Sequence, residues 1–248
     1  MSFVITVYVP GAIVMAADSR QSIIISKLMP DGAKQQAVET VNSDFVYKIF
    51  LLQNQRIGIS AFGESVLGKV NIESHVKRFQ EEKLKNTDDI SSVTKKLCDF
   101  IGDRFPNNNT TFHIAGFNKE SGVSIPYVYL CHTSRKEIQR LNAKPENNEV
   151  IYGASWGGQG DIIAGLLYPK QMRNKNREVK PIPTAPIIWD TMPIQDAIDF
   201  AIYAVRTTID TIRFQARPKN VGGPIDVLLL TPDMTTWIQR KEHRGQPT

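Results

Sequence analysis

Ser2 opens an apolar, β-branched run, Phe3-Val4-Ile5-Thr6-Val7-Tyr8-Val9, which doubles back at Pro10-Gly11 into Ala12 to Ala17 and ends on Asp18. Because residue 2 is small, Met1 is open to removal by methionine aminopeptidase, and the mature chain then begins at Ser2. A terminal serine holds two parts of a hydrolytic reaction at once. Its hydroxyl is a nucleophile, and its α-amine, with an unperturbed pKa of roughly 7.7–8.0, is a base that works near neutral pH without a histidine. A Met-Ser start is also an ordinary one, so the reading depends on what the hairpin brings near it. With a period of two, Ala12, Val14, Ala16 and Asp18 share one face, and a carboxylate closes an otherwise apolar row. As a plain turn residue in Ala-Asp-Ser-Arg, Asp18 would need no partner.

A lysine supplies the complementary oddity. In Phe45-Val46-Tyr47-Lys48-Ile49-Phe50-Leu51-Leu52 the same period puts Val46, Lys48, Phe50 and Leu52 on one face, with Lys48 the charged member. An ammonium turned inward needs a carboxylate, since burying it unpaired is costly and lowers its pKa. Asp18 is the candidate in kind. The alternative is a side chain whose stem packs on the strand while its head reaches water.

Three segments resemble proteasome β-type subunits, in that family's order. Gly11-Ala12-Ile13-Val14-Met15-Ala16-Ala17-Asp18-Ser19-Arg20 is similar to the opening strand with Ala-x-Asp-x-Arg, and Thr111-Phe112-His113-Ile114-Ala115-Gly116-Phe117 to the middle hairpin. Val221-Gly222-Gly223-Pro224-Ile225-Asp226-Val227 is similar to the Gly-Gly-x-x-Asp-Val strand. Asp18 follows Ser2 by 16 positions, the family's spacing between nucleophile and first aspartate. The resemblance implies that Lys48 is the essential lysine, displaced by an insertion between Lys27 and Asp44, and that Gly63 or Phe62 supplies the N–H that binds the oxyanion. It also suggests supporting roles for Arg20 and Ser155. Two features depart from the family: serine replaces its threonine, and Pro218 and Val221 stand where it has an aspartate and a serine. Within the superfamily the chain is most like the bacterial ancestral β-subunit (Anbu) or HslV-like branch.

The elements that must position these residues follow from periodicity. After the early strands, helices are expected over about 64–80 and 88–104, the second with Ile90, Val93, Leu97, Phe100 and Ile101 on one side. Strands over 110–117 and 126–132 come next, then a helix over about 158–170 and a basic loop. The clearest helix runs over 193–214, with a proline in its first turn and a broad apolar face. Composition and order give an α+β class. The resemblance refines that to a four-layer αββα sandwich, the N-terminal-nucleophile hydrolase fold, with two antiparallel sheets between helical layers.

At 248 residues and 41% hydrophobic content the chain suits a single domain, 1–248, with a polar and flexible tail expected over 239–248. No apolar run approaches a membrane span, and the start is no signal peptide, so a cytoplasmic address is expected. Cys98 and Cys131 lack metal-ligand spacing and read as reduced core thiols; neither metal nor cofactor is expected. A net charge of +5 raises nucleic-acid binding, but the basic residues at 170–180 and 240–244 lack interleaved aromatics and accompany no binding motif. The resemblance implies a peptidase acting on peptides or unfolded proteins inside a homo-oligomeric ring or spiral, with any ATPase unfoldase partner unknown. Two alternatives stand beside it. One is a catalytically silent ring subunit or scaffold with Met1 retained, and the other is an N-terminal-nucleophile amidase acting on small amides.

Overall fold

The β-branched run at the start of the chain does form a strand, and the computed structural model describes residues 2–28, 35–52, 54–168, 171–173, 179–182 and 185–242. In chain order come β1 (Phe3–Val9), β2 (Ala12–Ala17), β3 (Gln21–Leu28), β4 (Gln35–Ser43), β5 (Ile49–Leu52) and β6 (Ile57–Gly63). A small hairpin, β7 (Val66–Leu67) and β8 (Val70–Asn71), leads into α1 (Ile72–Lys83) and α2 (Ile90–Arg104). Then follow β9 (Thr110–Glu120), β10 (Val123–His132), β11 (Glu137–Arg140), β12 (Gly153–Gly158) and α3 (Asp161–Leu167). The chain closes with β13 (Gln171–Arg173), β14 (Val179–Pro181), α4 (Ile194–Phe214), β15 (Asp226–Leu230) and β16 (Thr235–Gln239).

The result is a mixed α+β protein built on antiparallel sheets. One five-stranded sheet has the order β12-β1-β2-β15-β16 and the other β11-β10-β9-β6-β5. β1 and β2 are buried on both faces, which is why they read as continuous apolar runs rather than as alternating ones. Phe3, Ile5, Val7, Val14 and Ala16 turn one face toward the α4 stripe of Ala197, Ala201 and Val205. From the opposite face Val4, Tyr8, Ile13 and Met15 meet Ile49, Ala115 and Val128 of the second sheet. That sheet's other face packs Phe50, Ile59, Phe112 and Ile114 against Phe79, Val93, Leu97 and Phe100 of α1 and α2. Gly58 lets the sheets approach, because a Cβ there would lie 2.6 Å from the Met15 sulfur.

Several boundaries differ from expectation, each for a local reason. The helix expected from 64 starts at Ile72, because Gly68 and Lys69 adopt left-handed conformations (φ 56° and 68°) that turn β7 into β8. Asn71 then accepts from the Ser74 N–H and starts α1. α3 is shorter than its expected 158–170, since Gly158 still belongs to β12. The segment expected as an insertion between Lys27 and Asp44 supplies β4, which pairs with β3 in a two-stranded sheet of its own. At the other end β16 runs through Gln239 and Lys241 is buried and hydrogen-bonded, so the expected tail is anchored that far; residues 243–248 lie outside the described residues. No helix among the described residues is long and apolar enough to cross a membrane.

The core packing sets a stability expectation. Leu97→Ala, at a fully buried position between α2 and the sheet, should cost about 2–5 kcal/mol in denaturant unfolding, whereas Phe214→Ser, at a position 82% exposed, should stay within about 0.5 kcal/mol.

Candidate active site

The end of β12 holds Ser2 in place. Gln159 N–H donates to the Ser2 carbonyl at 2.7 Å, and Gly158 (φ 82°) lies so close that a Cβ there would overlap that oxygen. Only glycine fits, so the first residue of the hairpin is fixed by its backbone and not by its side chain. Asp18 lies one step away, where β2 ends. Its Oδ1 accepts from Phe3 N–H (2.8 Å) and Lys48 Nζ (2.5 Å), and its Oδ2 from Arg20 N–H (3.1 Å) and Gly222 N–H (3.0 Å). Both oxygens are therefore fully used.

Lys48 meets Asp18 as expected, but not from the expected strand position. The strand begins at Ile49, and Lys48 does not share a face with Phe50 and Leu52, which pack toward α1 and α2. Pairing with Asp18 overrides the alternation. The two side chains are 4% and 0% exposed. Burial pushes the Lys48 ammonium below the usual lysine value, the attraction and hydrogen bond of Asp18 oppose that shift, and Lys241 and Arg20 add to it.

Of the two candidate oxyanion donors the geometry favours one. Ala61 N–H donates to the Lys48 carbonyl at 2.8 Å, across the edge of β6 that faces β5. Amides alternate along a strand, so Gly63 N–H turns to that same edge, past the last rung, while Phe62 N–H turns toward β9. Gly63 has φ 90°, and a Cβ there would overlap the Asn109 carbonyl, so the position admits only glycine. The Phe62 ring instead packs edge-on against His113, 5.2 Å between centroids, in space left by Gly157.

Ser2, Lys48, Gly63 and Arg20 line one cleft of about 490 Å³, walled on the far side by Ile23, Ile24 and Glu39 of the β3–β4 hairpin. Arg20 grips Asp44 with two hydrogen bonds (2.5 and 2.8 Å) and donates to the Lys219 carbonyl, its guanidinium lying against Gly222. It fastens the turn that supplies an amide to Asp18. Ser155 is elsewhere: with Thr6 it flanks the buried His113, at 3.3 Å from Nε2 and 3.1 Å from Nδ1 respectively, and it does not line the cleft. Burial, with a smaller contribution from His132, pulls His113 down to about 3, so the imidazole is neutral, one ring nitrogen donating and the other accepting. Sequence reasoning missed Gly158, Asp44 and His113. Their partners are distant in sequence and no local pattern marks them.

No group of three or more His, Cys, Asp or Glu side chains among the described residues is arranged to hold a metal ion. No protein-family model matches the chain, and no curated protein matches it significantly.

His113 gives the fold a pH signature. Its folded value lies below the unfolded value of about 6.5, so the unfolded chain binds more protons between the two, and the stability it contributes, full above about 6.5, is lost as pH falls toward about 3. The slope is up to about 1.4 kcal/mol per pH unit. His113→Gln should flatten this part of the curve in urea melts run from pH 7 to pH 4; equal slopes for the two proteins would refute it.

Proposed function

We propose that the chain is a proteasome-like, N-terminal-nucleophile hydrolase that cleaves peptide bonds with Ser2 once Met1 has been removed. The observation that carries this reading is the convergence of Ser2, Lys48 and Gly63 on one cleft, with Asp18 buried behind Lys48. Two antiparallel sheets packed on each other, with α1 and α2 against one and α4 against the other, support a four-layer αββα sandwich. Met1 itself lies outside the described residues.

In this mechanism the Ser2 α-amine takes the hydroxyl proton as Oγ attacks the peptide carbonyl carbon. Gly63 N–H stabilises the oxyanion. The amine then delivers the proton to the departing amide nitrogen, the C–N bond breaks, and an ester joins the acyl group to Ser2. Water attacks that ester, giving one proton to the amine, and the amine returns it to Oγ as the acid product leaves. Lys48 contributes a fixed positive charge that favours the neutral amine and the oxyanion, while Asp18 orients it.

A cytoplasmic homo-oligomer, ring or spiral, completes the proposal, because a nucleophile of this kind at the bottom of an open cleft gains selectivity from enclosure. The rival reading, a catalytically silent ring subunit, draws on Val221, which is buried and apolar where the family carries a serine. Intact mass of protein from its native host separates them: the active form lacks one methionine and carries no acetyl group.

Ser2→Ala should lower hydrolysis of peptide libraries by a factor of about 10³ or more, and Lys48→Ala by about 10² or more, with folding checked by circular dichroism. Turnover that survives Ser2→Ala unchanged would sink the mechanism, and cleavage of small amides but not peptides would replace the substrate class. Light scattering is expected to return a multiple of 27.9 kDa; a monomer across micromolar concentrations would contradict the assembly.

A further inference from the structure

A second buried ion pair stands beside the first. Lys241 donates twice to Asp226, from its backbone N–H to Oδ1 at 2.8 Å and from Nζ to Oδ2, and the two side chains are 3% and 2% exposed. Burial this complete is unusual for a lysine and an aspartate, because two charges leave water together.

The two pairs are offset by one residue on each partner. Asp226 lies opposite Ala17 across β15 and β2, and Ala17 immediately precedes Asp18. Lys241 packs on Tyr47, which immediately precedes Lys48: Nζ is 4.1 Å from the ring centroid, and the Tyr47 hydroxyl donates to the Lys241 carbonyl at 3.2 Å. Arg240 covers the same ring from 4.6 Å and lies 3.8 Å from the ring centroid of Trp237, in the middle of β16. Neither Lys241 nor Asp226 lines the cleft, so any effect they have on it passes through Tyr47, Lys48 and Asp18.

Resting on the functional reading above, we infer that the Asp226–Lys241 pair is a positioning element of the candidate active site: it clamps the segment carrying Lys48 onto the hairpin carrying Asp18, and Lys241 adds a fixed positive charge to the field around Lys48. The charges facing Lys48 are Asp18, Lys241, Arg20 and, at the foot of the same segment, Asp44; of these Lys241 and Arg20 push its pKa in the same direction as burial. Lys241 is faced by Asp226, Arg240 and Asp18. Removing the Lys241 charge leaves Asp226 as a net negative neighbour, which raises the Lys48 pKa. Removing the Asp226 charge leaves Lys241 uncompensated and lowers it.

The test reads two quantities separately: the NMR titration of Lys48 Cε, which needs no activity, and the rising limb of the pH–rate profile, which reports the base. Lys241→Gln should move both to higher pH by about one unit and Asp226→Asn should move both to lower pH, with Lys241→Arg restoring the wild-type positions. A purely structural role would not give opposite shifts. If neither single variant folds, the double variant Asp226→Asn/Lys241→Gln leaves no unpaired buried charge and should show a smaller upward shift of Lys48. NMR shifts as expected in a protein without Ser2-dependent turnover uphold the coupling and remove the functional reading. A folded Lys241→Gln protein with Lys48 and the pH–rate limb at their wild-type positions overturns the inference and reduces Lys241 to an anchor for the segment that follows β16.

Discussion

A carboxylate and an ammonium taken out of water together, Asp18 and Lys48, constrain everything around them. Burying either alone would be prohibitive, and even as a pair they need every remaining lone pair satisfied, which Phe3, Arg20 and Gly222 do through backbone amides. Those three donors come from the strand that carries Ser2, from the residue after the hairpin, and from a turn about two hundred residues later in the chain. The pair therefore assembles the site as well as occupying it. Losing one partner leaves an uncompensated charge, at a cost of about 3–5 kcal/mol, so Asp18 and Lys48 are tied to the fold and to the cleft at once.

Glycines do the complementary work where side chains would collide. Gly158 admits the Ser2 carbonyl, Gly63 admits the Asn109 carbonyl while leaving its own amide at the open edge of β6, and Gly222 admits the Arg20 guanidinium. Each removes a Cβ at a point where backbone must approach a group of the site. The cleft is thus shaped in part by backbone, which varies little with side-chain rotamer, and Lys48 enters it as a long side chain held by a buried partner.

What could be read from the residues was what local pattern encodes. The β1–β2 hairpin, α2 and α4 show their faces through apolar spacing, and the pairing of Asp18 with Lys48 follows from two charges in apolar rows. Alternation nonetheless puts Lys48 on the wrong face, because it holds only while the ladder does, and the ladder starts one residue later. Hydrophobic period alone starts α1 too early, because two left-handed residues, one of them a lysine, leave no mark in it. Ser155, proposed by analogy, faces His113 because Thr6 and Ser155 are partners across β1 and β12, a register set by tertiary pairing alone.

The same accounting bears on the choice of base. A serine nucleophile usually borrows a histidine, yet His113 is sealed between the sheets by Thr6 and Ser155 and stays out of the cleft. The charged groups that do line the cleft are each engaged: Lys48 with Asp18, Arg20 with Asp44, Glu39 with the Ser22 hydroxyl, and Glu64 with the Asn109 amide. On the proposed reading the α-amine created by loss of Met1 sits on the same residue as the nucleophile and lies in a field that Lys48 biases toward its neutral form. The base is on that reading supplied by the nucleophile's own residue, while the charged side chains that line the cleft are engaged in holding it together.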